Sequence, residues 1–472
     1  MTDHTQPVGL VGLGTMGRGL AQALVRAGLS VHAFEPLAGD AGSAPDGAAL
    51  CADLNSMVAA LTPPRRVVLM VTAGDPVDAM IEQLAPMLEA NDIIIDGGNS
   101  HFRDTERRAA ALAAQTIRYL GVGISGGEKG ARDGASIMAG GPADGFDDSR
   151  DILEALAAKD GVTLCCAHMG PGGAGHFVKM VHNGIEYAIM QSIAEAWFLL
   201  RALAGLDDPA IARHFRDWND GALSSALMQI TATVLETKDP ETGAPIQDVI
   251  HDAADQTGTG RWLVAEAMDL GVPVPTIAEA VAARSLSGSS EARAALVAAR
   301  EKPVEMGDHG LIAAIGDALL GSIVCSYAQG FSTIRAAATR YAWPAQSANI
   351  SRIWRKGCII QSRLLVLIAE AYDRTPNMAI LLQDGAIGAT IVDAEEGWRD
   401  TVASAVLAGL PVPAMASALA YLDALRSNRL WTSLTQAQRD LFGAHTYRRI
   451  DREGRFHTDW PDTDLPELPA AD

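Results

Sequence analysis

Residues 8–17 read Val8-Gly-Leu-Val-Gly-Leu-Gly-Thr-Met-Gly17, an apolar run followed by a Gly-x-Gly-x-x-Gly motif. The apolar run predicts a strand, and the pattern from Thr15 to about Ala27 predicts a helix. Between a strand and a helix, small residues tighten the turn and let a pyrophosphate approach backbone N–H groups at the positive helix end. A turn that only caps the helix is the alternative. We predict a dinucleotide site at Gly12, Leu13, Gly14, Thr15, Met16 and Gly17.

Apolar runs continue to about residue 165 and alternate with helical patterns. This alternation predicts a largely parallel sheet covered by helices on both faces, and hence a Rossmann-like α/β domain over residues 1–174. The predicted strands are Val8–Leu13, Val31–Phe34, Val67–Val71, Ile93–Asp96, Arg118–Val122, Ser136–Ala139 and Val162–Cys165.

The second predicted strand ends in Phe34-Glu35-Pro36. An acid about 20 residues beyond the glycine motif typically accepts hydrogen bonds from the adenosine ribose, and its charge repels a 2′-phosphate. Positions 36–47 contain neither Arg nor Lys to hold that phosphate. Glu35 therefore predicts NAD as the cofactor, with NADP less favoured. A surface carboxylate at a strand end is the alternative.

Two later loops, 71–74 and 96–100, each follow a predicted strand. Ligands bind at the carboxyl edge of a parallel sheet. We therefore expect cofactor contacts from Val71, Thr72, Ala73 and Asn99, and a substrate contact from Asn99 as well. An ordinary glycine turn with capping residues explains the second loop equally well.

Ser125, Gly126 and Gly127 follow the predicted strand Arg118–Val122. Adjacent small residues leave their backbone N–H groups accessible, and such groups could cradle a carboxylate. A flexible loop is the alternative.

The segment Gly175-His-Phe-Val-Lys-Met-Val-His-Asn-Gly-Ile-Glu-Tyr187 predicts a helix with an unusual polar face. Lys179, His182, Asn183, Glu186 and Tyr187 recur at i, i+3, i+4, i+7 and i+8, the spacing that usually marks an apolar stripe. Because the rest of the helix is apolar, we expect it to be buried with this face directed at a cavity. A lysine and a carboxyl group two turns apart could act as base and acid on one substrate. A solvated surface face is the alternative.

Composition indicates a soluble globular protein, with 48% hydrophobic and 20% charged residues among 472. The net charge of −20 argues against nucleic acid or anionic membrane surfaces as partners. The five cysteines include no CxxC pair, which suits reduced thiols in a cytoplasm. Neither a basic leader nor an uncharged apolar stretch of 18 residues is present, so secretion and membrane spanning are not indicated. We expect a cytoplasmic location.

Long helical patterns replace the strand signals after the glycine-rich segment that ends at Gly175. Residues 175–428 are predicted to form an all-helical domain, and residues 429–472 a C-terminal tail. Within the helical domain, Thr257 and Thr259 lie in a Gly/Thr turn suited to binding an anion. Arg284 could supply a positive charge. Helix capping and a surface arginine are the alternatives.

The chain resembles the decarboxylating 6-phosphogluconate dehydrogenases of the β-hydroxyacid dehydrogenase superfamily. The resemblance extends along nearly the whole chain and rests on an ordered set of motifs. These are IIIDGGNS at 93–100, SGGE at 125–128, GAGHFVKMVHNGIEY at 173–187, GTGRW at 258–262, CSYAQG at 325–330 and QAQRDLFGAHTY at 436–447.

The resemblance implies that Lys179 removes the C3 hydroxyl proton while hydride leaves C3 for the nicotinamide. The 3-keto acid then loses CO2, and Glu186 protonates C1 of the enediol to give ribulose 5-phosphate. No metal is needed, because the β-keto group accepts the electrons released on decarboxylation. The substrate contacts implied are Asn99, Ser125, Gly126, Gly127, His182, Asn183, Tyr187, Thr259, Arg284, Arg439 and His445. We also expect a substrate contact from Thr257, which stands where the family commonly has a lysine.

Arg439 and His445 lie in the tail and match residues that the family inserts into the neighbouring subunit's active site. The resemblance therefore implies a homodimer with exchanged tails, or a tetramer built from such dimers.

The sequence departs from the family's pattern at three places. Glu35-Pro36-Leu37 stands where NADP-dependent members typically have Asn-Arg-Thr, which favours NAD. Thr72 stands where many members have a lysine near the cofactor. Thr257 replaces a lysine that commonly contacts the substrate phosphate. Since a charged hydrogen bond is worth about 1.5–3 kcal/mol, phosphate affinity is expected to fall roughly ten- to a hundredfold unless other arginines compensate.

The leading hypothesis is an NAD-preferring oxidative decarboxylase of 6-phosphogluconate. A dehydrogenase of another, unphosphorylated sugar acid is the alternative that Thr257 motivates. An inactive cofactor-binding regulator is the alternative from a different class, and the intact Lys179 and Glu186 pair argues against it.

Overall fold

The computed structural model describes residues 6–37, 44–297, 310–344 and 346–460 of the chain. The chain forms two compact units, Met1–Leu419 and Ala420–Asp472. The first contains a sheet with its covering helices and the long helices that follow. The strands are β1 Val8–Val11, β2 Val31–Phe34, β3 Ala49–Leu50, β4 Arg66–Leu69, β5 Ile93–Asp96, β6 Arg118–Ser125, β7 Ser136–Gly140, β8 Lys159–Asp160, β9 Thr163–Leu164 and β10 Cys166–Gly170.

Helices alternate with the strands and then replace them. Those among the strands are α1 Thr15–Arg26, α2 Leu54–Ala59, α3 Asp75–Leu84, α4 Phe102–Ala113, α5 Gly127–Asp133, α6 Ala143–Asp148 and α7 Arg150–Leu156. Those that follow are α8 Ala174–Ala202, α9 Asp208–Asn219, α10 Ala226–Glu236, α11 Ile246–Val249, α12 Thr259–Asp269, α13 Pro275–Ser287, α14 Ser290–Val297, α15 Leu311–Tyr341, α16 Ser347–Ile353, α17 Leu364–Arg374, α18 Gly385–Leu407, α19 Pro413–Arg426 and α20 Thr432–Gly443.

The main sheet has eight strands in the order β10-β7-β6-β5-β4-β1-β2-β3. The first six strands of the chain, β1 to β6, are parallel to one another. Strand β7 pairs antiparallel with β6 and parallel with β10. Two apolar clusters cover the sheet: α1 and α7 contribute to one, and α2 and α3 to the other. The predicted fold class, a Rossmann-like α/β part followed by a large helical part, is confirmed.

The last predicted strand, Val162–Cys165, is placed incorrectly. Gly161 adopts a left-handed φ of 60°, and the fully exposed Val162 lies in the turn between the short strands β8 and β9. The strand that joins the main sheet is β10, which begins at Cys166. The apolar residues were a poor guide here because a glycine turn interrupts them.

Helix α8 lies against β6 and β7 with glycines at the contact. A Cβ atom on Gly175 would lie 2.3 Å from the carbonyl oxygen of Gly121 and 2.4 Å from the nitrogen of Gly140. A Cβ atom on Gly123 would lie 2.4 Å from Cβ of Lys179. Since such distances are far below van der Waals contact, only glycines allow this approach. The contact fixes where the side chains of α8 lie relative to the carboxyl end of β6.

Helix α15 is long and apolar enough to span a membrane by length and composition, but 72% of its apolar window is buried within the fold. Its glycines again allow close packing: Gly330 contacts Ile185 of α8, and Gly321 contacts Trp398 of α18. The burial and these contacts are those of a helix in a protein core.

The second unit contains α20 and a bridge between Tyr447 and Phe456, whose backbone N–H groups each donate to the other's carbonyl oxygen at 2.8 Å. Asp440 is fully buried there. Large apolar side chains of this unit, including Trp431 and Phe442, are about two-thirds exposed. The division of the chain into 1–174, 175–428 and 429–472 stays a prediction.

Gly123→Ala should destabilise the protein, because its methyl group would collide with the side chain of Lys179. Overpacking of this kind typically costs about 1–3 kcal/mol, and we expect a lower apparent Tm. Gly385→Ala is the matched control, since a Cβ atom there meets nothing within 4 Å. Equal melting temperatures of the two variants would contradict the proposed role of the contact.

Candidate active site

The glycine motif forms a tight turn between β1 and α1. Gly12 has a φ of 95°, and a Cβ atom there would lie 2.4 Å from the carbonyl oxygen of Met70. A Cβ atom on Gly17 would lie 1.9 Å from the carbonyl oxygen of Gly12. A Cβ atom on Gly14, which precedes α1, would meet nothing within 4 Å. Two glycines thus shape the turn, and the third leaves open space at the helix N-terminus, as a bound pyrophosphate requires.

Glu35 follows β2 and is hydrogen-bonded to this turn. Its carboxylate accepts the backbone N–H of Leu13 at 2.5 Å and that of Leu37 at 3.0 Å. The acid predicted from sequence to contact a ribose is therefore adjacent to the glycine turn. This is the position from which a carboxylate could hydrogen-bond an adenosine ribose.

The loops after β4 and β5 lie at the carboxyl edge of the sheet. In the first, Thr72 is exposed while Val71 and Ala73 are half-buried. In the second, Asn99 is exposed and lines the cleft described below.

A buried carboxylate holds the loop that carries Asn99. Asp96 accepts the backbone N–H of Gly98 at 3.0 Å, the hydroxyl of Ser100 at 2.6 Å and that of Tyr119 at 2.7 Å. This network was not predicted from the sequence. An aspartate that ends a buried strand was the available signal, but its partner Tyr119 could be found only from the fold.

A cleft of about 440 Å³ lies where this edge meets α8, α12 and α13. It brings together many of the predicted site residues. They are Met16, Asn99, Ser125, Gly126, Gly127, Lys179, Asn183, Glu186, Tyr187, Thr257, Thr259 and Arg284. Lining residues that the sequence analysis missed are Met70, Gly97, Ile124, Asp255, Gln256 and Ile359. Glu35, Thr72 and His182 are not among the lining residues.

Lys179 and Glu186 contribute opposite charges to this cleft from one helix. Lys179 is buried and Glu186 is half-buried. Burial lowers the pKa of Lys179, against the opposing effect of the Glu186 carboxylate. Burial raises the pKa of Glu186, against the effects of Lys179 and Arg284. Both shifts favour the neutral forms, which are those of a general base and a general acid.

His182 is fully buried beside the cleft and hydrogen-bonds two of its lining residues. Its Nε2 lies 3.1 Å from Oγ of Ser125, and its Nδ1 lies 3.2 Å from Oδ1 of Asn183. Burial and the nearby charge of Lys179 hold the pKa of His182 well below its usual range, so the ring is neutral. With Nδ1 donating to Asn183, Nε2 accepts the Ser125 hydroxyl. Asn183 in turn donates to Thr259 at 3.3 Å.

Arg284 lies over Tyr187 at the opposite end of the cleft. Its guanidinium carbon is 3.5 Å from the ring centroid, and Nη1 donates to the backbone oxygen of Asp255 at 3.3 Å. The Tyr187 ring also packs on Gly260, where a Cβ atom would lie 2.7 Å away. These contacts place the guanidinium beside Asp255 and Tyr187 in the cleft that Thr257 also lines.

Arg439 and His445 belong to the second unit. Arg439 donates to the side chain of Gln436 at 3.1 Å, and the His445 ring packs edge-on against Phe442. Between them in sequence, Asp440 accepts hydrogen bonds from Thr446, His457, Thr458 and Trp460. These bonds lower the pKa of Asp440 to about 2 although burial opposes the shift. The carboxylate orders the segment that carries both predicted substrate contacts.

Comparison with known proteins identifies relatives along the chain. Residues 7–170 match the family model of the NAD binding domain of 6-phosphogluconate dehydrogenase, and residues 175–460 match that of its C-terminal domain. A Bacillus subtilis protein named 6-phosphogluconate dehydrogenase, NADP(+)-dependent, decarboxylating, is 44% identical over 96% of this chain and 99% of its own length. A second B. subtilis protein, named NAD(+)-dependent and decarboxylating, is 43% identical over the same shares. The structure of Plasmodium falciparum 6-phosphogluconate dehydrogenase is 35% identical and has a TM-score of 0.92, covering 96% of this chain and 100% of that one.

Glu186→Gln should lower the pKa of Lys179 further, because it removes the carboxylate that opposes the effect of burial. Cyanate carbamylates the neutral amine, so modification of Lys179 should begin at lower pH in the variant. Peptide mass spectrometry would measure it, with the exposed Lys238 as internal control. An unchanged or higher onset for Lys179 would show that the two groups do not interact in this way.

Proposed function

The chain belongs to the 6-phosphogluconate dehydrogenase family, and on that premise we propose that it converts 6-phospho-D-gluconate to D-ribulose 5-phosphate and CO2, with hydride transfer to NAD. One observation carries the assignment of roles. Lys179 and Glu186 lie in one cleft at the carboxyl edge of the sheet, and Met16 of the glycine motif lines the same cleft. A base, an acid and a dinucleotide turn thus converge on one site.

Lys179 acts first as the base. In its neutral form, which burial favours, it takes the C3 hydroxyl proton of the sugar acid. The nicotinamide, when bound, accepts the hydride from C3. The resulting Lys179 ammonium hydrogen-bonds the new C3 carbonyl oxygen, which draws electrons from the breaking C1–C2 bond as CO2 leaves. Lys179 gives its proton to that oxygen, and the enediol forms.

Glu186 acts second as the acid. Burial keeps a fraction of its carboxyl group protonated, and this group donates its proton to the carbon that lost CO2. The enediol becomes the ketone of ribulose 5-phosphate. Lys179 takes back the enediol proton, which balances the second step. Because the β-keto group itself accepts the electrons released with CO2, this sequence needs no metal.

The other lining residues bind and orient the substrate in this proposal. Ser125, Gly126 and Gly127 hold its carboxylate, and Asn99 contacts the substrate next to the nicotinamide. His182, fixed by Ser125 and Asn183, supports the polar face of α8. Tyr187, Thr257, Thr259 and Arg284 hold the phosphate end.

NAD is the proposed cofactor because of the residues that follow β2. The Glu35 carboxylate is anchored to Leu13 and would repel a 2′-phosphate. Neither Pro36 nor Leu37 can replace the missing positive charge. The two B. subtilis relatives use different cofactors according to their names, so the preference rests on these residues.

A second candidate substrate is an unphosphorylated sugar acid. Thr257 lines the cleft with Asp255, whose carboxylate would repel a phosphate, and Arg284 is the neighbouring cation. Arg439 of a second copy would add positive charge if tails are exchanged, and His445 would add a hydrogen-bonding ring. We propose this exchange within a homodimer in the cytoplasm, which would make Arg284 and Arg439 the joint phosphate ligands.

A steady-state assay that crosses NAD and NADP with 6-phosphogluconate and gluconate tests the proposal. We expect the highest kcat/KM with NAD and 6-phosphogluconate. Lys179→Ala should reduce kcat by at least about a hundredfold, the lower end of what a general base contributes. Lys238→Ala is the matched control. A higher kcat/KM for gluconate would reject the phosphorylated substrate, and activity that survives in Lys179→Ala would reject its role as the base.

Replacing Glu35 by Asn and Pro36 by Arg should shift the cofactor preference towards NADP. The change removes a repelling charge and adds one charged hydrogen bond, worth about 1.5–3 kcal/mol, so kcat/KM for NADP should rise roughly tenfold or more. Glu82→Asn, an exposed glutamate on α3, serves as control. A wild-type enzyme that already turns over NADP tenfold better than NAD would overturn the assignment.

A further inference from the structure

A second cleft, which adjoins the one that contains Lys179 and shares Gly126 and Ile359 with it, is lined by an unusual share of the chain's lysines. Its volume is about 720 Å³, and three of its lining residues are Lys129, Lys159 and Lys356. The whole chain of 472 residues has only six lysines. Half of them therefore surround one cavity in a protein whose net charge is −20. We call this cavity the lysine cleft.

Packing around Gly357 brings the three lysines together from separate segments. A Cβ atom on Gly357, the neighbour of Lys356, would lie 2.6 Å from Cβ of Ala158, the neighbour of Lys159. The Gly357 carbonyl oxygen accepts the N–H of Ser136 at 2.7 Å. A Cβ atom on Gly126, which precedes the helix that carries Lys129, would lie 2.6 Å from that same oxygen.

The positive charges of this cleft are compensated only in part: Asp133 interacts electrostatically with Lys129 but forms no direct ion pair with it. Arg355 and Asp160, which flank two of the lysines, pair with each other at 2.6 Å. The cleft's own acid, Asp133, pairs with Arg132 at 2.9 Å. Among the residues that the structure describes, the three lysines form no ion pair, so neighbouring arginines take the available carboxylates.

One wall of the cleft is apolar. Ile230 and Val234 of α10 line it and are 47% and 42% exposed. Gln229, Thr233 and Gln361 add neutral hydrogen-bonding groups. Small-molecule sites typically have volumes of about 300–1,000 Å³ and combine apolar walls with a few polar groups. The lysine cleft has this size and composition.

We propose that the lysine cleft binds a pyrophosphate-containing anion, such as a nucleoside diphosphate, beside the substrate cleft, with which it shares Gly126 and Ile359. Three ammonium groups match the charge of a diphosphate, and lysine binds phosphate as a point charge. The apolar wall formed by Ile230 and Val234 suits the organic part of such a ligand. This proposal is independent of which sugar acid or nicotinamide cofactor the enzyme uses.

Calorimetric titration of the full-length protein with inorganic pyrophosphate, ADP and inorganic phosphate tests the site. The reduced form of the enzyme's own cofactor is present at saturation, so that the glycine turn after β1 is blocked. We expect one pyrophosphate site per chain, at least tenfold weaker binding of phosphate, and binding of ADP at least as tight as that of pyrophosphate. Equal, weak binding of phosphate and pyrophosphate would overturn the proposal, as would loss of binding when the cofactor is added. Weaker binding of ADP than of pyrophosphate would reject the nucleotide but support the pyrophosphate site.

Variants separate this site from the others. Lys159→Gln with Lys356→Gln should weaken pyrophosphate binding at least about tenfold, as expected for loss of charged hydrogen bonds. Lys238→Gln should not change it. The wild type could fail to bind pyrophosphate while the double variant differs from it in sedimentation coefficient. That pair of results would reject the pyrophosphate site and show that the cleft faces another copy of the chain. Cyanate modification of the wild-type protein gives a further test. Pyrophosphate should protect Lys159 and Lys356, but not Lys238, from cyanate. Equal modification of all three lysines in the presence of pyrophosphate would overturn the site.

Discussion

The close approach of α8 to β6 and β7 is the constraint on which the active site depends. Ordinary side chains hold a helix away from a sheet, but Gly175 faces Gly121 and Gly140 with no room for a Cβ atom. This contact places the first turns of α8 directly beside the carboxyl end of β6. Lys179 therefore lies beside Gly123, two residues before Ser125, and the same cleft contains the sheet edge and the helix. The position of Lys179 at the carboxyl end of β6 thus follows from the packing of four glycines.

The same burial that fixes the geometry also adjusts the chemistry. Water is excluded from most of the polar face of α8, so the charged forms of Lys179, His182 and Glu186 are all disfavoured. Their mutual interactions partly offset this effect, because a lysine and a glutamate stabilise each other's charges. A proton can consequently move on or off either group at modest cost, as a two-step reaction requires. One helix supplies both groups, which fixes their separation.

Sequence alone predicted the elements whose signal is local. The turn at Gly12–Gly17 lies within one strand–helix unit, and the polar residues from Lys179 to Tyr187 lie within one helix. The fold contains both features. Because the polar face of α8 is mostly buried, the alternative interpretation of this face as a solvated surface is excluded. Long-range contacts were not predictable in this way. The bond from Tyr119 to Asp96, and the presence of Ile359 and Asp255 in the cleft, depend on segments far apart in the chain. The roles of the individual residues stay predictions.

Asp440 has a consequence for how the second unit is held together. It is the one buried residue between 423 and 460, the part of this unit that the structure describes after Leu422. Hydrogen bonds to a carboxylate, rather than apolar burial, thus organise this segment. Because heat capacity and denaturant sensitivity both scale with the apolar surface that becomes exposed, opening of an isolated segment of this kind changes either quantity very little. Its order depends on proton concentration, because protonation of Asp440 weakens the hydrogen bonds that hold the segment.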